Sequence, residues 1–314
     1  MEVDNCNLNY FNLISLRLLL RNNFILICII LSIGKSNGQS FVEYPQFATY
    51  SNFVFHNPSF SDTSSQFSFQ SQYSGHIGPR KIINEQFYAV DGRLGPSNNH
   101  VLGILIYRRN QGPFINNTDV QLKWSMSLFS TTKHWLSGGF SIGAKQLFFE
   151  GSPNFSGGSD IGLDGQAGVW YQRNKSYAGV SIANLFGTKL TPLDQEFQYK
   201  QRYQLILGRN FNVSSELKYK TSALVSLDFS NNVVWGVFQE LIYQSRFMLL
   251  LSMNQFEYIN GGVGLHQYPV KSTLVSARIT FGVPLWDVLI NSQKFELLLA
   301  LSRAKVTNEN RERY

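Results

Sequence analysis

Charged residues are scarce in this chain of 314 residues. They make up 15% of the sequence, whereas an ordinary soluble domain carries roughly 25%. Apolar residues reach 43% and the mean hydropathy is −0.13, which excludes a bundle of membrane helices and also a disordered chain. Aromatic residues are abundant at 14%. Low charge combined with many aromatic residues is typical of a barrel with alternating strand faces and aromatic girdles.

Cysteine occurs only twice, at Cys6 and Cys28. Both residues lie in an N-terminal segment that we expect to be removed, so the mature chain would contain none. This excludes disulfide scaffolds, zinc sites with cysteine ligands and thiol catalysis.

The N-terminal residues have the architecture of a secretory signal peptide. Residues 24–33 form an apolar core of about 10 residues, which is too short to span about 30 Å of hydrocarbon as a helix. Arg17 and Arg21 precede this core, and the small residues at 36–38 follow it. We therefore predict a cleaved signal peptide over residues 1–38. An uncleaved anchor is the alternative, although the two arginines interrupt any span of about 20 apolar residues.

Long hydrophobic runs are missing from the rest of the chain. The longest dense tract, residues 247–253, has only the length of a strand. After export the chain is therefore either a soluble protein or a membrane barrel, because only helices and closed barrels satisfy all backbone polar groups in lipid.

Apolar and polar residues alternate along the remaining sequence with a period of two, which is the pattern of strands. Residues 120–128 place Val120, Leu122, Trp124, Met126 and Leu128 on one face and Gln121, Lys123, Ser125 and Ser127 on the other. A soluble sandwich also alternates. The alternating segments here run to about 9–14 residues, where globular strands average about 5–6, and gaps of hairpin length separate them. Both features favour a membrane barrel.

The pattern predicts one all-β domain, a transmembrane antiparallel β-barrel of about fourteen strands over residues 64–303. The predicted strands are 64–73, 83–92, 100–109, 119–131, 134–148, 161–172, 175–185, 200–211, 217–229, 232–244, 246–257, 260–268, 271–283 and 293–303. Longer loops are expected near residues 110–118, 149–160 and 186–199, and in such barrels long loops face outward.

Two further segments flank the predicted barrel. Residues 39–63 are rich in aromatic and polar side chains, and they either fold inside the barrel as a plug or run across its periplasmic mouth. Residues 304–314 form a short polar tail.

The sequence contains no pattern that carries catalysis or binds a cofactor. The five histidines are isolated and show no zinc-like spacing; they are His56, His76, His100, His134 and His266. A phosphate-binding loop is missing. The Gly-x-Ser-x-Gly spacing of a nucleophile elbow occurs at residues 34–38, inside the predicted signal peptide, and at 139–143, inside a predicted strand rather than at a strand-to-helix turn. We predict a non-enzymatic protein with no catalytic, cofactor-binding or metal-binding residues.

Three residue pairs imitate functional sites without completing one. Asp160 and Asp164 lack the closely alternating ligands and the final glutamate of a calcium loop. Asp194 and Glu196 fall in an expected loop that offers no pocket for acid–base chemistry. His134 and Ser137 do not establish the pair that an outer-membrane phospholipase would need.

The basic excess, 27 Lys and Arg against 20 Asp and Glu, is spread along the chain. Nucleic-acid binding would favour a clustered basic stripe, so no nucleic-acid partner is expected. Lys123, Lys145 and Arg278 fall on the polar strand faces, and a lumen lined by them would favour anions if it were open. The glycine pairs 138–139 and 261–262 are interpreted as relief of crowding on a curved wall, and the tryptophans as girdle residues.

The order of several short motifs resembles the PorP/SprF family, outer-membrane proteins of the type IX secretion and gliding apparatus. Pro45-Gln46-Phe47 is followed by Asn57-Pro58 and then by a Gln-Ser-Gln-Tyr strand at residues 70–73. Later segments that resemble the family are residues 136–143, residues 159–162 leading into 168–171, residues 177–182 and residues 234–236. The resemblance covers about residues 41–303. The family's usual Arg before Gln72 is absent and Tyr73 replaces Trp, which indicates a divergent member.

The resemblance implies a barrel in the outer membrane of a Gram-negative-type bacterium. Its implied partners are ring and motor subunits of the type IX machine (a periplasmic lipoprotein complex), secreted cargo such as adhesins, and outer-membrane lipid. The first hypothesis is therefore a non-enzymatic component of a secretion or gliding apparatus. An outer-membrane diffusion channel for small solutes is the alternative, and an outer-membrane enzyme is a weaker third. A wide unplugged lumen would favour the channel, and a lumen filled by residues 39–63 or by large side chains would favour the first hypothesis.

Overall fold

The computed structural model describes residues 53–61, 65–77, 83–94, 99–112, 114–151, 156–194, 196–228, 233–254, 258–284 and 293–304. The predicted signal peptide, the N-terminal segment before Phe53 and the predicted tail beyond residue 304 lie outside the described residues.

Strands dominate the described residues. A single helical turn, α1, spans Phe53–His56. The strands are β1 (Ser65–Ile77), β2 (Ile83–Leu94), β3 (His100–Gln111), β4 (Ile115–Ser130), β5 (His134–Phe149), β6 (Gly158–Arg173), β7 (Ser176–Ala183), β8 (Lys189–Leu190), β9 (Phe197–Gln198), β10 (Arg202–Asn212), β11 (Leu217–Asp228), β12 (Val233–Tyr243), β13 (Phe247–Asn254), β14 (Tyr258–Val270), β15 (Thr273–Pro284) and β16 (Gln293–Ala304). Within the described part of the chain, no helix is long and apolar enough to cross a membrane.

Fourteen of these strands form one closed antiparallel barrel, and β1 closes it by pairing with β16. The two short strands β8 and β9 pair only with each other, in the connection between β7 and β10. Each predicted strand corresponds to one barrel strand, so the predicted fold class is confirmed. One loop prediction is wrong in extent: β3 continues to Gln111 and β4 begins at Ile115, so the two strands occupy most of residues 110–118.

The polarity of the barrel wall is the reverse of that in a soluble protein. On β4, the side chains of Val120 and Leu122 are 42% and 61% exposed, while the intervening Gln121 and the following Lys123 are 5% and 1% exposed. The same arrangement recurs on β13, where Leu249 and Leu251 face outward and Ser252 is buried. A continuous apolar belt of this extent is stable against hydrocarbon rather than water, so the outer face of the barrel is a lipid-facing surface.

The two ends of the barrel differ in the length of their connections. At the end that holds Ser65 and Ala304, which we call the turn end, tight turns join the strands at 131–133, 174–175, 213–216, 244–246 and 271–272. The opposite end, called the loop end, carries the long connections 150–157 and 184–201. Because short turns of bacterial barrels face the periplasm, the turn end is assigned to the periplasmic side.

The wall has a notch beside β6. The short strand β7 pairs only with residues 166–173 of β6, so residues 158–165 have no neighbouring strand on that side among those described. The connection between β7 and β10 covers this edge instead. The backbone N–H of Leu185 donates to Gly165 O at 2.9 Å, and the Thr188 hydroxyl donates to Leu163 O. A cavity of about 810 Å³ lies at the notch.

Candidate functional site

Residues 53–61, called the inner segment below, lie inside the barrel against its inward-facing side chains. Val54 and His56 are each 3% exposed, and Asn57 and Ser59 are fully buried. The segment is compact because one helical turn leads directly into a β-turn: Asn57 N donates to Phe53 O at 2.8 Å and Phe60 N donates to Asn57 O at 3.1 Å. Asparagine at the first position and proline at the second are favoured in such a turn, which explains the Asn-Pro motif.

The Asn57 side chain anchors the inner segment to the wall. Its Nδ2 donates to Val169 O at 3.0 Å and to Val180 O at 3.2 Å, and these residues are paired across β6 and β7. Its Oδ1 accepts from Ser59 N at 3.0 Å and from Ser59 Oγ at 2.5 Å. The amide therefore uses both donors and its acceptor, which is what a fully buried polar group requires.

The wall also supplies donors for backbone carbonyls of the inner segment. Ser181 Oγ donates to His56 O at 2.6 Å, and Ser137 Oγ donates to Ser59 O at 2.8 Å. Lys123 Nζ donates to Phe60 O at 2.6 Å and lies 3.1 Å from Asp91 Oδ2. These bonds replace water at carbonyls that a short buried segment cannot pair by itself.

Three glycines of the wall allow the inner segment to approach the strands. A Cβ at Gly139 would lie 2.7 Å from Pro58 O, and one at Gly168 would overlap Asn57 Oδ1. At Gly179 an added Cβ would lie 2.9 Å from Asn57 Nδ2. The interpretation of Gly139 as relief of crowding on a curved wall is therefore wrong, because its missing side chain makes room for the Asn-Pro turn.

Aromatic side chains hold both flanks of the inner segment. Phe60 packs on Trp170 with ring centroids 4.8 Å apart, and Trp170 stacks on Tyr177 at 5.3 Å. On the other flank, Phe55 lies 5.3 Å from Phe87. Trp170 is 1% exposed, so the prediction that it belongs to a girdle is wrong, and it is part of the lumen packing.

Ion pairs neutralise most of the buried charge in the lumen. The three cations predicted to face inward do so, and each has a carboxylate partner: Lys123 with Asp91 at 3.1 Å, Lys145 with Asp164 at 2.7 Å and Arg278 with Glu240 at 3.0 Å. Two more pairs are Lys294 with Glu296 at 3.0 Å and Arg109 with Glu85 at 3.6 Å. The expected preference for anions presupposes unpaired cations in an open lumen, and at the level of the inner segment neither condition is met.

The residue pairs that imitate functional sites have other partners. Asp160 accepts from Thr191 N at 2.6 Å, and Asp164 belongs to an ion pair. Glu196 pairs with Lys189 on the exposed surface of the connection between β7 and β10.

The suspected phospholipase pair is not assembled. The imidazole Nδ1 of His134 lies 2.8 Å from Tyr171 Oη, whereas Ser137 is buried against the inner segment. Among the described residues, no group of three or more His, Cys, Asp or Glu is placed to hold a metal ion.

Several of the motifs that carry the family resemblance meet at this one site. The Asn-Pro turn contacts Gly139 from the segment 136–143, Gly168 from the segment 168–171 and Gly179 from the segment 177–182. Sequence reasoning singled out these motifs but did not bring them together. The available signal was that Gly139 falls on the inward, polar register of its strand.

A closed barrel with a polar lumen and an apolar outer belt is an outer-membrane β-barrel protein. Similar solved structures include the toluene transporter TbuX of Ralstonia pickettii, with a TM-score of 0.53 and 12% identity over 81% of this chain and 93% of that chain. The toluene transporter TodX of Pseudomonas putida gives a TM-score of 0.50 and 11% identity over 83% of this chain and 94% of that chain. At these identities the likeness shows the fold alone.

The model of the family described as type IX secretion system membrane protein PorP/SprF matches residues 38–276. The chain belongs to this family, and it is an outer-membrane component of a type IX secretion system. No curated protein sequence matches it significantly. The family implies association with other components of the secretion system, and both the family and the structurally similar proteins serve secretion or transport.

Proposed function

We propose that this chain is a non-enzymatic docking component of a type IX-like secretion or gliding apparatus. In this proposal the turn end binds periplasmic ring subunits, and the loop end supports the secretion or surface attachment of specific cargo such as adhesins. The observation that supports the proposal is the burial of the inner segment inside the barrel, and we infer that it acts as a plug. A lumen that holds a buried piece of the chain, hydrogen-bonded to the wall, is suited to a docking scaffold rather than to free diffusion of solutes.

The surface charge of the turn end supports the docking of a partner there. Seven basic side chains are exposed around it and form what we call the basic rim: Lys133, Arg173, Lys175, Lys218, Arg246, Lys271 and Arg303. Glu216 is the acidic residue exposed among the described turns at this end. A rim of one sign steers and orients a partner of the opposite sign, so the ring subunit is expected to present an acidic surface.

Charge reversal on one sector of the rim tests the docking. Lys133, Arg173 and Lys175 are neighbours, since Asn174 N donates to Lys133 O at 2.8 Å. We expect the triple variant K133E/R173E/K175E to lose co-purification of the periplasmic ring subunits while the barrel still reaches the outer membrane.

A triple reversal at the loop end serves as the matched control, because R108E/K189E/K200E changes the net charge equally at exposed positions. It should retain the ring subunits. Equal recovery of ring subunits from wild type and from the turn-end variant would contradict docking at the basic rim.

A deletion strain tests the secretion role itself. Comparison of the surface and medium proteomes with those of the parent should show loss of one large adhesin-like protein while nutrient uptake is intact. An unchanged surface proteome with impaired uptake of a small solute would refute the proposal.

The second candidate function is a diffusion channel, and the notch beside β6 is the observation that favours it. The cavity there is lined by Gly162, whose register faces the lumen, and by Leu163, which faces outward at 59% exposure. A path through the wall at this point would bypass the inner segment. Planar-bilayer recordings of the wild-type protein decide between the two functions. A scaffold should give no steady conductance, whereas a diffusion channel should give one.

A further inference from the structure

A second cavity, of about 350 Å³, lies in the lumen between the inner segment and the turn end. Its aromatic wall is formed by Phe53, Phe60, Trp170 and Tyr177. Its volume falls at the lower end of ligand-binding pockets, which measure about 300–1,000 Å³. The cavity is therefore large enough for a small molecule and too small for a folded partner.

One side of the cavity is apolar, although inward-facing side chains elsewhere in the lumen are mostly polar. Met248 and Leu250 of β13 and Leu298 of β16 are inward-facing and 3%, 5% and 6% exposed, and all three line the cavity. Phe238 of β12 joins them and is 3% exposed. Inward positions of a transmembrane barrel are ordinarily polar, so this apolar patch beside the Trp170–Tyr177 stack is suited to the apolar body of a ligand.

Positive charge exceeds negative charge among the acidic and basic groups that line the cavity. Arg278 Nη1 lies 3.0 Å from Glu240 Oε1, and Lys220 Nζ lies 3.9 Å from Glu240 Oε2. Two cations thus share one carboxylate, which leaves one positive charge in excess. In a partly desolvated site such a charge favours the binding of an anion.

We propose that this cavity binds a small organic carboxylate with an aromatic or branched aliphatic body. The carboxylate lies beside Lys220 at the charged wall, and the apolar body packs between the Trp170–Tyr177 stack and Met248. The site is independent of docking and secretion, since it needs only the folded barrel with its inner segment.

A charge series of one molecular skeleton tests the site on the full mature chain in lipid nanodiscs. The probes are 3-phenylpropionate, its neutral amide and the cation 3-phenylpropylamine, and their binding is measured by ligand-observed NMR against empty nanodiscs. We expect saturable binding of the carboxylate, binding of the amide at least tenfold weaker, and no saturable binding of the amine. Equal binding of carboxylate and amide, or no binding of the carboxylate, would overturn the proposal.

Two matched variants locate the bound molecule. Lys220→Gln removes the excess charge and leaves the Arg278–Glu240 pair in place, so the barrel should fold and the carboxylate should bind at least tenfold more weakly. Arg209→Gln removes the same charge from an outward position beside Phe211 and should bind as wild type. An unaltered affinity in Lys220→Gln, or an equal loss in both variants, would place the molecule elsewhere and refute the site.

Discussion

Replacement of Asn57 by alanine should release the inner segment without unfolding the barrel. The change removes two bonds to the wall, at 3.0 Å and 3.2 Å, and two bonds inside the turn, at 3.0 Å and 2.5 Å. A net loss of about 0.5–1.5 kcal/mol for each bond gives roughly 2–6 kcal/mol in total. None of the lost bonds joins two barrel strands, so the change weakens docking of the inner segment and does not destabilise the barrel.

A buried position near the end of the inner segment reports on the docked state. Ser61 is 5% exposed, and a chain produced from residue 39 onward contains no cysteine, so Ser61→Cys introduces a single thiol. Because every 1.4 kcal/mol changes an equilibrium tenfold, a loss of 2 kcal/mol raises the open population about 30-fold. The rate at which a maleimide labels this thiol should rise by that factor or more when Asn57→Ala is added.

The matched control is Asn212→Ala, which removes an exposed asparagine at the turn end and should leave the labelling rate unchanged. Heat-modifiable migration in gels would verify that each barrel is folded. A labelling rate in Asn57→Ala within threefold of the parent, with the barrel intact, would refute the view that this side chain holds the inner segment.

Three further outcomes are expected with the same thiol probe or by unfolding. Gly168→Ala should accelerate labelling, because its methyl group would overlap the docked side-chain amide of Asn57. Gly261→Ala should not, because nothing lies within 4 Å of its added Cβ. Equal effects of the two variants would show that Gly168 is not needed for the approach of Asn57 to the wall. Burial, and secondarily a neighbouring arginine, lower the pKa of His56 from 6.5 to about 3. Below pH 6.5 the undocked segment binds a proton that the docked segment excludes, so the docking equilibrium weakens as the pH falls, by about 30-fold at pH 5. A labelling rate that does not change between pH 7 and pH 5 would contradict this pH dependence. A change of the same size in His56→Gln would show that His56 is not its source. Lys123→Met leaves Asp91 buried without the cation that lies 3.1 Å away, and it should lower the free energy of unfolding in urea by about 3–5 kcal/mol. The double variant with Asp91→Asn should recover most of that loss. A double variant as unstable as the single one would show that the unpaired carboxylate is not the cause of the destabilisation.

The strands of this protein were predictable because a barrel wall is one strand thick. Each inward side chain meets the lumen and each outward one meets lipid, so the alternation within a strand records both environments without reference to its neighbours. Val120, Leu122 and Lys123 show this on β4. Where the alternation fades, prediction failed: β4 begins at Ile115 rather than at 119, because pairing with β3 and β5 sustains the strand through polar residues.

The inner segment shows where local pattern stops being informative. The turn at Asn57-Pro58 is predictable from local sequence, because the asparagine side chain and the proline ring both favour a β-turn. Its location inside the barrel rests on Val169 and Val180, which are 112 and 123 positions away. Only the closed barrel brings those carbonyls to the turn.

By itself, then, the sequence determined the number of barrel strands and, where polar and apolar residues alternate, the face on which each side chain lies. The tertiary structure decided which inward residues meet, such as Lys145 with Asp164 and Arg278 with Glu240. The physical reason is that a period of two specifies a face but carries no information on depth along the barrel axis. Depth, and with it every lumen contact, follows from the register of all fourteen strands once the barrel is closed.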